Sequence, residues 1–159
     1  MSAQLADAPP PTRHGDGPAA SALHGVLVTY RRPAAIATML DCLAAQDRPL
    51  DSLVVVDNDT ATSARAAVEA VAAAGGSPGP PVRYIAAGAN LGPAGGIALG
   101  MRTVLDGAAA DDDWVISLDD DDPPTWPDVF GRLAALGVRL RTEDLRVGGD
   151  RQPEPGEDR

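Results

Sequence analysis

The feature that most restricts what this chain can fold into is Trp114-Val115-Ile116-Ser117-Leu118-Asp119-Asp120-Asp121-Asp122-Pro123-Pro124, an apolar run that ends abruptly in four carboxylates and two prolines. Trp, Val and Ile favour a packed, pleated surface, so the run predicts a strand covered on both faces, and the prolines stop it. Carboxylates about 5 Å apart repel by roughly 3 kcal/mol per close pair at an effective dielectric near 20. Something must offset that repulsion. Hard divalent cations such as Mg²⁺ take oxygen ligands, often one or two carboxylates completed by phosphate oxygens and water. A metal–phosphate site is one reading of the tetrad. A solvated acidic turn, with Asp122 or Thr125 capping the next helix, is the other.

The rest of the chain supplies a setting for that strand end. Residues 1–22 are rich in Pro, Ala, Gly and Asp and predict a disordered leader, in which His14 is a solvated histidine. Leu23–Tyr30 predicts a first strand. Pro33 suits a first helical turn, and Ile36, Met39, Leu40 and Leu43 repeat at i, i+3, i+4 and i+7, giving a helix that ends near Gln46. Leu53–Val56 predicts a second buried strand, ending on Asp57-Asn58-Asp59. An Ala-rich helix over Thr60–Ala74 follows, then a Gly/Pro loop over 75–81 and a third strand over Val82–Ile85. The bend Asn90-Leu91-Gly92-Pro93-Ala94-Gly95-Gly96 leads into a helix through Ile97, Met101, Val104 and Leu105. A last helix is expected over Trp126–Leu136. Strand pieces are expected within 137–147, and 148–159 reads as a polar disordered tail.

Strand and helix alternate as βαβαβαβ with near-continuous apolar strands, which implies an α/β fold with a parallel sheet and helices on both faces. Ligands of such sheets lie beyond the carboxyl ends of the strands. Thr29, Tyr30, Asp57, the Asn90 bend and the aspartates all fall there. The expected domain is 23–147, stopping mid-fold.

Composition removes several classes. The 159 residues suffice for one domain, contain no Lys, and carry a formal net charge of −10, which excludes a nucleic-acid partner that needs a basic face. No apolar run approaches the 20 or so residues of a transmembrane segment, and Met1–Gly17 lacks a signal-peptide layout, so a cytoplasmic address is the default. Cys42 is the single cysteine and fits a reducing compartment. The glycines at 92, 95, 96 and 100 follow the third strand and do not spell a dinucleotide fingerprint, and without Lys there is no Gly-Lys-Ser/Thr phosphate loop. Gly95 and Gly96 serve either close helix packing or ligand approach.

Four segments in order, Val28-Thr29-Tyr30-Arg31-Arg32-Pro33, Val54-Val55-Val56-Asp57-Asn58, Asn90-Leu91-Gly92-Pro93-Ala94-Gly95-Gly96 and Ser117-Leu118-Asp119-Asp120-Asp121-Asp122, resemble the family 2 glycosyltransferases, inverting enzymes of the GT-A fold. The branch with galactofuranosyl and rhamnosyl transferases of cell-wall or polysaccharide biosynthesis is the most similar. The resemblance implies a nucleotide-diphosphate sugar donor, UDP- or dTDP-activated, and a glycan or lipid-linked acceptor reached at the inner membrane face. It places Thr29, Tyr30, Arg32, Asp57, Asn90, Gly95, Asp119 and Asp120 at the nucleotide sugar, with Asp57 accepting a hydrogen bond from the base. It makes Asp119 and Asp121 the Asp-x-Asp pair that holds Mg²⁺ or Mn²⁺. The catalytic base of this family comes from the second half of its domain. Glu143-Asp144 follows the tetrad too closely to be that acidic pair, so the base is expected to be absent and the chain to retain mainly donor binding. A non-catalytic nucleotide-sugar-binding module is the alternative. A sugar nucleotidyltransferase is a third reading, opposed by the lack of early glycines near Arg31 and Arg32.

Overall fold

The computed structural model describes residues 21–73, 79–107, 109–110 and 113–135. The expected leader up to residue 20, the strand pieces within 137–147, Glu143-Asp144 and the tail lie outside the described residues. Four apolar runs form one sheet: β1 (Leu23–Thr29), β2 (Ser52–Asp57), β3 (Val82–Ala86) and β4 (Trp114–Asp119). They pair all in parallel in the order β3-β2-β1-β4. The chain therefore steps outward from β1 to β3 and then returns to β1's other side, making the crevice between β1 and β4 the topological switch point. Register places Thr29 beside Asp57 and Val28 beside Asp119, so the polar residues line up at one end of the sheet.

Period-two alternation divides the sheet's side chains between two layers. Leu23, Leu27, Leu53 and Val55 face one side, where Ile36, Met39, Leu40 and Leu43 of α1 (Pro33–Ala44), Val68 of α2 (Arg65–Ala73) and Phe130 of α4 (Val129–Ala135) cover them. Val26, Val54 and Val56 face the other side, under Val104 of α3 (Gly92–Leu105). The expected helices on both faces are present. α3 sits close because Gly96 and Gly100 turn bare backbone to the sheet. A Cβ on Gly96 would lie 2.5 Å from Val28 Cγ1, and one on Gly100 would drive into Val26.

Three element starts differ from expectation, each for a local reason. The helix after β2 starts at Arg65 and not Thr60, because the Asp57 carboxylate accepts the N–H groups of Asp59 and Ala64 and folds the intervening residues into a turn. The glycine bend is largely helix: α3 starts at Gly92, whose N–H donates to Asn90 Oδ1, and Pro93 presets the first turn. α4 starts at Val129 and not Trp126, because Trp126 and Pro127 are tied to the end of α1 by Gln46 Nε2 on Trp126 O and Asp47 N on Pro127 O. No helix among the described residues is long and apolar enough to cross a membrane.

At the sheet's opposite end, buried His24 of β1 meets β2 and the residue that precedes β4, its Nδ1 2.8 Å from Ser52 Oγ and its Nε2 3.4 Å from Asp113 Oδ2. Burial works against the Asp113 charge, but N–H donation from Ala110 and Ala22, with His24, holds its carboxyl below the usual range. A depressed carboxyl adds stability that is present above the ordinary value near 4 and is lost as pH falls through the lowered one. Asp113→Asn is expected to flatten the loss of urea stability below about pH 4. For the α3 contact, Gly→Ala at an exposed helix position would stabilise by about 1 kcal/mol. At Gly100 the crowding against Val26 reverses the sign, and Gly100→Ala is expected to cost about 1–3 kcal/mol in urea unfolding.

Candidate functional site

At the carboxyl end of the switch-point crevice lies a recess of about 620 Å³, lined by Thr29, Tyr30 and Arg32 after β1, Asn58 after β2, Asn90 and Gly92 at the start of α3, and Asp119, Asp120 and Asp121 at the end of β4. Val28, Ile97 and Leu118 form its apolar floor. The aspartates follow each other on a tight turn and bring one carboxylate oxygen each within 4.8 Å of the others. Asp120 is 6 % exposed and points inward, while Asp119 and Asp121 are open to solvent. One Asp120 oxygen accepts the Thr29 hydroxyl at 2.7 Å. The other accepts Arg32 Nη1 at 3.0 Å, and the same nitrogen donates to Asp121 Oδ2 at 2.6 Å. The hydrogen bond from Arg32, then its charge, holds the Asp121 carboxyl below the usual range, and the two aspartates raise the guanidinium in turn.

Arg32 is delivered by an uncommon backbone step. Arg31 takes φ 58°, a left-handed conformation that bulky residues rarely adopt. Its guanidinium stacks 4.8 Å from the Tyr30 ring and its Nε lies 3.5 Å from Asp59 Oδ1, contacts that compensate the strain. The chain turns there out of β1, Arg32 becomes the residue before α1, and Pro33 starts the helix.

Asp57 does not line the recess. It is fully buried on the α1–α2 face, with Oδ1 accepting Asp59 N–H and Oδ2 accepting both Ala64 N–H and the Tyr84 hydroxyl at 2.8 Å. Burial, then the bond to Asp57 and its charge, push the Tyr84 phenol well above its ordinary value. The neighbouring Asn58 occupies the recess wall, 2 % exposed, with its N–H on Thr29 O and Nδ2 on Gly92 O at 3.0 Å. Its Oδ1 is buried without a hydrogen-bond partner among the described residues.

The structure thus brings together Thr29, Tyr30, Arg32, Asn90, Asp119, Asp120 and Asp121. It leaves Asp57 beneath the site, and it places Gly95 outside the lining, against Leu91. Asn58 had no role assigned from the sequence. Alternation along β2 carried one residue past the strand end gives it away, since 54, 56 and 58 share the α3 face.

Residues 26–135 match the model of the family described as Glycosyl transferase family 2. The chain is 42 % identical over 108 residues to galactofuranosyltransferase GlfT1 of Mycolicibacterium smegmatis, covering 68 % of this chain and 32 % of that protein. It is 45 % identical over 98 residues to galactofuranosyltransferase GlfT1 of Mycobacterium tuberculosis, covering 60 % of this chain and 29 % of that one. The chain thus spans about a third of the length of these curated relatives. No solved structure is significantly similar to it. A parallel α/β sheet, an acidic cluster at its switch point and a family match over most of its residues place this chain in glycosyl transferase family 2.

Proposed function

We propose that this chain binds a UDP- or dTDP-activated sugar in the recess and presents it for inverting transfer to an acceptor hydroxyl. The observation that carries the reading is the convergence of Thr29, Arg32, Asn58, Asn90 and three aspartates on one recess at the β1–β4 switch point. Likeness to galactofuranosyltransferases supports a galactofuranosyl donor. The acceptor in this reading is a glycan or a lipid-linked glycan, met by a cytoplasmic protein at the inner membrane face.

The donor set fits a hard divalent cation, being all oxygen and spanning less than 4.8 Å. Asp119 and Asp121, the solvent-open pair, would hold Mg²⁺ or Mn²⁺, which acts as a Lewis acid toward charge developing on the leaving diphosphate. The chain's own groups do the rest. Thr29 fixes Asp120 so that its carboxylate cannot swing away. The amino-terminal ends of α1 and α3 both meet the recess and favour an anion there. Asn58 Oδ1 is an acceptor for a base imide or ribose hydroxyl, and the half-exposed Tyr30 ring gives a face on which a base can stack. Asp57 is a positioning residue: it shapes the turn after β2 and thereby sets Asn58.

A second reading is a nucleotide-sugar-binding module that binds donor without turning it over. Both readings require binding and differ in sugar transfer by the chain alone, which a donor-hydrolysis or transfer assay separates.

Titration calorimetry of the full chain with UDP and dTDP is expected to show Mn²⁺-dependent binding that Asp121→Asn weakens by about tenfold or more. Equal affinity in the variant overturns the metal assignment, and no binding of either nucleotide overturns the donor-site reading. Tyr84→Phe removes one of three donors to buried Asp57 and is expected to cost about 1–3 kcal/mol of urea stability.

A further inference from the structure

We propose that Arg32 is an exchangeable counter-cation: it holds the acidic cluster while the recess has no donor, yields the Asp121 carboxylate to a divalent metal held by Asp119 and Asp121, and moves onto the incoming diphosphate. Metal and donor binding are then coupled through one guanidinium. The proposal rests on the donor-site reading above, and adds to it an order of events and a competitor.

The geometry carries each part. A single nitrogen, Nη1, bridges Asp120 Oδ1 and Asp121 Oδ2, and Asp121 is one of the two residues that would hold the metal ion. A magnesium-sized ion would need its carboxylate oxygens at about 2.1 Å, so ion and guanidinium would compete for Asp121. Asp120 is 6 % exposed and its other oxygen is held by Thr29, so it cannot follow Arg32 outward. A buried carboxylate stripped of its partner is strongly disfavoured. The cluster therefore exchanges one cation for another and is not left bare.

Arg32 is also built to move. Its side chain is 52 % exposed, while its backbone is pinned between left-handed Arg31 and the first turn of α1. It is the sole basic residue in the recess lining among the described residues, so a diphosphate entering there has no other side-chain cation to meet. An independent sign that the recess receives a ligand is Asn58, nine-tenths buried in the same wall with an unpartnered Oδ1. A fixed ion pair that merely organises the aspartates would make the opposite prediction, because its loss would spread the cluster and weaken metal binding.

Mn²⁺ affinity of the full chain, read by electron paramagnetic resonance of the free ion with and without UDP, distinguishes the two. Without nucleotide, Arg32→Gln is expected to bind Mn²⁺ about three- to tenfold tighter, since a competitor worth an ordinary exposed ion pair has gone. With saturating Mn²⁺, the same variant is expected to bind UDP about tenfold or more weaker, having lost a charge-assisted bond to phosphate. Arg32→Lys retains the charge and is expected to keep nucleotide-free Mn²⁺ affinity within about threefold of wild type. Circular dichroism melts check that each variant is folded. Unchanged or weaker Mn²⁺ binding by Arg32→Gln, with wild-type binding intact, overturns the exchange while leaving the donor site standing. Failure of every variant and of wild type to bind Mn²⁺, with UDP present or not, overturns the metal reading and the exchange together.

Discussion

Three consecutive carboxylates at the end of a packed strand are the constraint around which the rest of this structure is arranged. Their oxygens fall within 4.8 Å, where like charges repel by about 3 kcal/mol per pair at an effective dielectric near 20. The fold answers with β1, the strand beside β4. Thr29 supplies a hydroxyl, and the next turn supplies Arg32. Arg31 accepts a left-handed backbone for this purpose, since without that turn the chain would run on in the direction of β1 and carry Arg32 away from the cluster.

A carboxylate at the end of β2 is treated in the opposite way. Asp57 sits across β1 from the cluster, beside Thr29, yet it meets two N–H groups and a tyrosine hydroxyl and no cation. Enough donors satisfy it completely, so it organises the turn around itself and has nothing left to offer a ligand. The β4 aspartates have too few donors and keep unsatisfied valence. The difference between a structural and a ligand-ready aspartate here is donor count, not burial alone, because Asp120 is nearly as buried as Asp57.

That difference explains what was legible in the sequence. The alternation of strands and helices, the parallel sheet and the helix faces follow from apolar runs and from the spacing of Ile36, Met39, Leu40 and Leu43, because near-continuous apolar strands must be covered on both faces. The cluster was legible because repulsion among adjacent aspartates is local. The separate roles of Asp57 and Asn58 were not, since both lie at the strand end and only their opposite faces, one toward Tyr84 and α2 and one toward α3, divide them. The start of α3 at Gly92 was hidden by glycine's poor helix propensity. There the side chain of Asn90 and the ring of Pro93 outweigh propensity, and close approach to Val28 requires the glycine at 96.

Electrostatics sets a further condition on any phosphate-bearing ligand. The chain carries a formal charge of −10, so its overall field opposes a nucleoside diphosphate. Charges more than about 8 Å from the ligand are largely screened at physiological ionic strength, which confines the decision to the recess. There the positive side consists of one guanidinium and the amino-terminal ends of α1 and α3, against three aspartates. The local sum is negative until a divalent ion joins it. On the proposed reading, a diphosphate would therefore bring its cation along or find one already in place. With the exchange proposed for Arg32, one recess would satisfy charge balance both before and after that arrival.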